Sequence, residues 1–251
     1  MLRGLLTFGL LPIATAFFGT LALIGALFAP RAHFAMRLGR PWSKLLLACT
    51  GVRPHYEGLE FASLGYPVVF ASNHLSIVDI WALMPVLPIE TKFVAKRSLF
   101  RFPIFGRAMR AGGFIAIDRD RLRDAIASLG VAAERIRAGD SVIVFVEGTR
   151  SPDGSLRRFK KGAFVLAAEA DVPIVPIAIR GTHGVIKPRS LRVTPGPVVV
   201  TFHPPVPPSV REGNVGDWVA AVRATIAQSL GETPPAPPSE RPPQVPSISA
   251  R

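Results

Sequence analysis

The 251-residue chain contains one cysteine, Cys49, so no disulfide can form within it and packing alone must hold the fold. A lone thiol also fits a reducing compartment. The H-E-x-x-H and C-x-x-C spacings are missing, which removes the common metal-site signatures. So are a P-loop, a G-x-G-x-x-G turn and a G-x-S-x-G nucleophile elbow. Nothing here carries the mark of nucleoside triphosphate, dinucleotide or serine-hydrolase chemistry. Acids are scarce as well: 17 Asp and Glu against 30 Lys and Arg, a formal net charge of +13. That imbalance calls for an acidic partner, either nucleic acid or anionic lipid.

What is present decides between those two. From Leu5 to Ala29 no residue is charged, a run long enough to span a membrane, with Pro12 early in it and Pro30 closing it. A cleavable signal peptide has an apolar core of only ~7–15 residues. Arg31, Arg37, Arg40 and Lys44 follow the run, which places that side in the cytoplasm. Ala32 to Cys49 forms a second, amphipathic helix candidate, with Trp42 as an interfacial anchor and basic side chains able to reach headgroups. One spanning helix and a helix pair immersed in a single leaflet both fit, and the close succession favours the pair. A nucleic-acid binder has no use for such a leader. The expected partner is therefore an anionic membrane surface, not nucleic acid.

Beyond the leader, short apolar runs alternate with helical stretches. The runs are Val68–Ala71, Phe93–Ala95, Phe114–Ile117, Val142–Val146, Ile174–Ile179 and Val198–Phe202. Arg121 to Ala138 places Leu122, Ala125, Ile126, Leu129, Ala133 and Ile136 at helical spacing. Ala163–Ala170 and Asp217–Leu230 read as two more helices, the last packed on the sheet. Such alternation predicts an α/β fold, a mainly parallel sheet covered by helices, with a membrane-associated helical segment before it. The expected organisation is an anchor over residues 1–50 and a catalytic unit over 51–231. Residues 232–251 would be a proline-rich tail with no apolar face to bury.

Two polar clusters directly follow apolar runs. The first is Asn73-His74-Leu75-Ser76-Ile77-Val78-Asp79, the second Glu147-Gly148-Thr149-Arg150. In open parallel sheets ligands bind beyond the carboxyl ends of the strands, so the two clusters suggest one site. His74 can take and return a proton near neutrality. If a helix starts near Ile77, Asp79 lies one turn in and can reach back to fix the imidazole tautomer. No protein nucleophile accompanies them, so the substrate's own hydroxyl would attack. Arg150 offers a planar fork of donors for phosphate or carboxylate. Gly148 permits the sharp turn, and Thr149 adds a hydroxyl and a backbone N–H. Glu147 is placed to orient Arg150 or to accept from a substrate hydroxyl. Lys96 ends another strand and points toward the same crevice, whereas Arg97 and Arg119 read as solvated charge. Phe100 to Arg107 interleaves aromatics with arginine, a mix suited to a membrane surface. His33, His55, His183 and His203 read as bland surface residues.

These residues resemble the phospholipid and glycerol acyltransferase family, specifically its bacterial 1-acylglycerol-3-phosphate acyltransferases. His74 and Asp79 match the family's H-x4-D box. Lys96, Pro103, Gly106 and Ile117-Asp118-Arg119 match its second block. Phe145 to Ser151 match the third, with Val146 in place of proline, followed by Phe159-Lys160-Lys161-Gly162. Val172-Pro173-Ile174-Val175-Pro176 is the fourth. The resemblance implies a glycerolphosphate-acyltransferase-like fold and acyl transfer from a thioester, acyl-CoA or acyl-ACP, with no further cofactor or metal. The acceptor would be a lysophospholipid, 1-acyl-sn-glycerol-3-phosphate. It implies His74 as general base with Asp79 orienting it, and Lys96, Glu147, Gly148, Thr149 and Arg150 around the acceptor's phosphate. The setting implied is the cytoplasmic side of the inner membrane. Two other functions fit less well: acylation of another lysolipid, such as a lyso-ornithine lipid, and non-catalytic lipid binding, which needs no base.

Overall fold

The structure is a computed structural model that describes residues 2–29, 33–118, 122–208 and 214–232. Arg119, Pro30 and the proline-rich stretch from Thr233 lie outside those residues. The first element, α1 (Leu2–Phe28), is a helix long and apolar enough to cross a membrane. Its buried positions are the small residues Gly4, Thr7, Ala14, Gly19 and Ala22. A Cβ on Gly19 would stand 2.9 Å from the Ile104 Cγ2, so the close approach needs glycine there. The opposite face exposes Leu5, Ile13, Phe17, Ile24 and Leu27.

The second helix, α2 (Phe34–Thr50), ends at Gly51, whose left-handed backbone lets its N–H cap the last carbonyls. Trp42 is not the interfacial anchor the pattern suggested. It is buried, donates from Nε1 to the Thr15 hydroxyl of α1 at 3.1 Å, and joins the two helices. Met36, Trp42, Leu46 and Leu47 enter the same apolar cluster as the sheet.

Seven strands form one sheet in the order β1-β7-β6-β2-β5-β3-β4. They are β1 (His55–Glu57), β2 (Val69–Ser72), β3 (Lys92–Lys96), β4 (Ile115–Ile117), β5 (Val142–Phe145), β6 (Ile174–Arg180) and β7 (Val199–Phe202). All pairs are parallel except β6–β7. The six expected strands are present. The unexpected one, β1, is three residues of edge strand without an apolar run. The central strand β2 is buried at every position, as strands covered on both faces are. Phe70 points into the cluster shared with α2, while Val69 and Ala71 point into the other, the period-2 alternation of a strand. That other cluster is closed by α5 (Leu122–Arg137), α6 (Gly162–Ala170) and α8 (Val215–Leu230) through Ala133, Ile136, Phe164, Trp218 and Val222.

One buried charge stands out. Lys92 begins β3 almost fully enclosed, its Nζ 2.8 Å from Nδ1 of His33, the residue that precedes α2, and 3.4 Å from Asp140 Oδ1. Burial pushes this lysine below its ordinary range, and Asp140 pulls it partly back. His33, expected to be bland, thus ties the helix pair to the sheet.

Candidate active site

The strand order reverses beside β2, so the crevice lies off its carboxyl end. Asn73, the first residue beyond β2, is fully buried. Its side chain donates to the carbonyl of Ile179 at 2.9 Å and accepts from the same residue's N–H at 2.8 Å, fastening β2 to β6. His74 follows, its side chain 13% exposed. Its ring stacks on Phe145, centroids 3.9 Å apart and planes at 17°. Its carbonyl accepts from the N–H of Ser151 at 2.8 Å.

The helix expected near Ile77 is α3 (Val78–Leu83), and Asp79 sits in its first turn with no exposure. Asp79 Oδ2 lies 2.7 Å from His74 Nδ1 and also accepts the N–H groups of Leu75 at 2.7 Å and Ser76 at 2.9 Å. Its other oxygen accepts the Thr182 hydroxyl at 2.5 Å. A carboxylate only accepts, so it selects the tautomer with hydrogen on Nδ1 and leaves a lone pair on Nε2. An imidazole in this state can remove a proton from an approaching hydroxyl.

Glu147 lies one residue beyond Val146, past the end of the neighbouring strand β5. It is buried, and its oxygens bond backbone N–H groups rather than the Arg150 guanidinium, contrary to one expected role. Its Oε1 accepts the backbone N–H of His74 at 2.8 Å, and its Oε2 that of Arg157 at 3.1 Å. Glu147 therefore staples the His74 loop to the following turn. Burial pushes its carboxyl up to about 7, with the two amides opposing. Gly148 turns the chain at φ 77, and the Thr149 hydroxyl accepts from the Arg157 guanidinium at 2.6 Å.

Arg150 and Lys96 are both exposed, and neither side chain has a hydrogen bond or ion pair within the described residues. Arg97 instead lies 3.7 Å from Asp118, both partly solvated. The structure thus links His74, Asp79 and Glu147 directly, sets Gly148 and Thr149 in the adjoining turn, and leaves Lys96, at the carboxyl end of β3, and Arg150, after β5, exposed with no side-chain partner among the described residues. Among the described residues no group of three His, Cys, Asp or Glu side chains is placed to hold a metal ion.

Sequence reasoning missed Phe145, Arg157 and Thr182. Thr182 had a signal: it follows the apolar run of β6, as His74 follows that of β2. His203 was also taken as bland, yet its Nε2 lies 2.8 Å from the Ser229 hydroxyl.

Residues 53–180 match the acyltransferase family. A 1-acyl-sn-glycerol-3-phosphate acyltransferase of Cocos nucifera is 32% identical over 197 residues, covering 78% of this chain and 63% of its own. The chloroplastic enzyme of that name from Arabidopsis thaliana is 35% identical over 241 residues, 91% of this chain and 65% of its own. The human alpha form is 38% identical over 181 residues, 72% and 63%. The chain thus spans slightly under two thirds of these relatives' length. The crystal structure of the 1-acyl-sn-glycerophosphate acyltransferase PlsC from Thermotoga maritima superposes with a TM-score of 0.78 at 25% identity, covering 91% of this chain and 93% of that one. By the matched segment, the shared fold and the residues of its crevice, this chain belongs to the acyltransferase family.

Proposed function

We propose that this protein transfers a fatty acyl group from a thioester, acyl-CoA or acyl-ACP, to the sn-2 hydroxyl of 1-acyl-sn-glycerol-3-phosphate, forming phosphatidic acid. The observation that carries this is the His74–Asp79 bond, which turns the basic Nε2 of His74 outward at the carboxyl end of β2. His74 Nε2 takes the acceptor's hydroxyl proton as the oxygen attacks the thioester carbonyl. The tetrahedral intermediate then collapses, the C–S bond breaks, and the imidazolium returns its proton to the departing thiolate. Asp79 stabilises the imidazolium between those events. Lys96 and Arg150, free cations on the rim, bind the acceptor's phosphate.

The apolar face of α1 supports a membrane setting. Beside it, Arg101, Phe102, Ile104 and Arg107 are exposed ahead of and along α4 (Phe105–Ala111), where rings can enter lipid and guanidinium groups can meet headgroup phosphates. The burial of Trp42 between α1 and α2 favours a packed helix pair in the cytoplasmic leaflet of the inner membrane over an isolated span.

The test supplies purified protein with lysophosphatidate, lyso-ornithine lipid or other lysolipids, and with each thioester carrier, then identifies products by mass. Phosphatidic acid as the main product supports the assignment. Acylation of a different lysolipid alone overturns the acceptor, and no acylation at all overturns the activity.

A further inference from the structure

The end of β6 and the segment just after it bond to the loop from Asn73 to Asp79 at three points. Asn73 holds the backbone of Ile179, Ser76 donates its hydroxyl to the carbonyl of Ile186 at 2.6 Å, and Thr182 donates to Asp79. Thr182 opens α7 (Thr182–Val185), is fully buried, and reaches Asp79 Oδ1 across 103 residues of chain. Asp79 is fully enclosed, and three donors meet on its Oδ2. The Thr182 hydroxyl is the one hydrogen-bond partner of Oδ1 among the described residues. A buried carboxylate oxygen without a donor is costly, and it becomes a better place for a proton.

We propose that Thr182 is a positioning residue for acyl transfer: its hydroxyl keeps Asp79 an ionised acceptor and so keeps His74 in its base form. The proposal rests on the general-base reading of His74. Other titratable or charged groups near the pair are Glu147, which binds the His74 amide, Arg157 beyond it, and His183 beside Thr182 in α7. None of them bonds to Oδ1.

The physical consequence does not depend on which partner holds the proton. Removing the hydroxyl favours the proton-loaded form of the His74–Asp79 pair, so the pair takes up its proton at higher pH. Thr182→Val keeps the shape and removes the donor, whereas Thr182→Ser keeps the donor and removes a methyl group.

The experiment uses the full chain with lysophosphatidate and an acyl thioester, and separately follows the imidazole of His74 by NMR in ¹⁵N-histidine-labelled protein. Thr182→Val should move both the acid limb of the pH–rate profile and the imidazole midpoint up by about half a unit to one unit. It should also lower kcat roughly tenfold with little change in KM, and Thr182→Ser should restore all three. Where Thr182→Val does not fold, Thr182→Ala is compared with Thr182→Ser in its place. Equal shifts in the serine variant and the hydroxyl-free one would overturn the proposal, since packing would then be the cause. An unchanged imidazole midpoint in Thr182→Val would also overturn it. If wild type makes no product, the acyl-transfer reading fails, while the NMR titration still decides what Thr182 does.

Discussion

The loop from Asn73 to Asp79 and the two exposed cations Lys96 and Arg150 are built in opposite ways. In the loop, the Asn73, Ser76 and Asp79 side chains and both backbone polar groups of His74 have partners inside the protein. The Lys96 and Arg150 side chains stand in solvent with none among the described residues. A base must be held in one tautomer and direction before the substrate arrives, so its bonds are made in advance. In the proposed role, an anion-binding group needs free N–H donors, and a bond made in advance would compete with the ligand.

The largest break in that comparison should come from the closed side. His74→Ala should reduce acyl transfer by ~10²–10⁴-fold while leaving the protein folded and membrane-bound. Asp79→Asn should cost a comparable factor. Near-normal turnover in a folded His74→Ala protein would remove the base from the mechanism.

The two faces of α1 repeat the contrast on a larger scale, small residues inward and large apolar ones outward. Ile13→Asp with Phe17→Asp, 65% and 58% exposed, should leave the core packing intact. Losing two such side chains from lipid should weaken vesicle binding by ~10²–10⁴-fold, at about 1.5–3 kcal/mol each. Flotation with anionic vesicles measures this, and undiminished, salt-resistant flotation would show that the anchor lies elsewhere.

On the open side, Arg150→Ala should raise the acceptor's KM roughly tenfold to a hundredfold and leave the donor's nearly unchanged. Arg150→Lys should recover only part of this, because an ammonium keeps the charge and loses the fork. A raised donor KM instead would assign Arg150 to the carrier's phosphates.

Glu147, which ties the His74 loop to the chain at Arg157, gives the smallest effect. Its carboxyl, at 4.5 in the unfolded chain, is raised to about 7 in the fold. Between those values the native state holds the extra proton, so this contribution is complete below about 4.5 and is lost as pH rises through about 7. His33 and His203 are both pushed down by burial and act in the opposite sense, so only the difference between wild type and Glu147→Gln isolates the effect. Urea midpoints from pH 4 to 8 should show wild type losing relative stability with rising pH against the glutamine variant. The variant should be less stable at low pH by about 1 kcal/mol, since its amide replaces one acceptor with a donor. Parallel curves would show that folding does not raise the Glu147 carboxyl.

The sheet and the His74–Asp79 bond were legible because both are local. Apolar runs mark buried strands, and a carboxylate five positions after a histidine at a helix start can reach back to it. Glu147 and Thr182 were not, because their bonds cross 73 and 103 residues and depend on β5 and β6 flanking β2. The edge strand β1 carries no apolar run and is set by backbone pairing with β7. Trp42 and His33 misled for one reason: sequence shows amphipathic character, and only the fold shows which neighbour claims it.

Lys92 turns that burial into a gauge. Its amine, shut between His33 and Asp140, is out of reach of acylating reagents while the helix pair is seated. Lys96, four residues further along the same strand, is open to them at all times. The ratio of labelling at these two lysines therefore measures any opening of the packing around Lys92. Comparing that ratio with and without vesicles tests whether a membrane changes that opening.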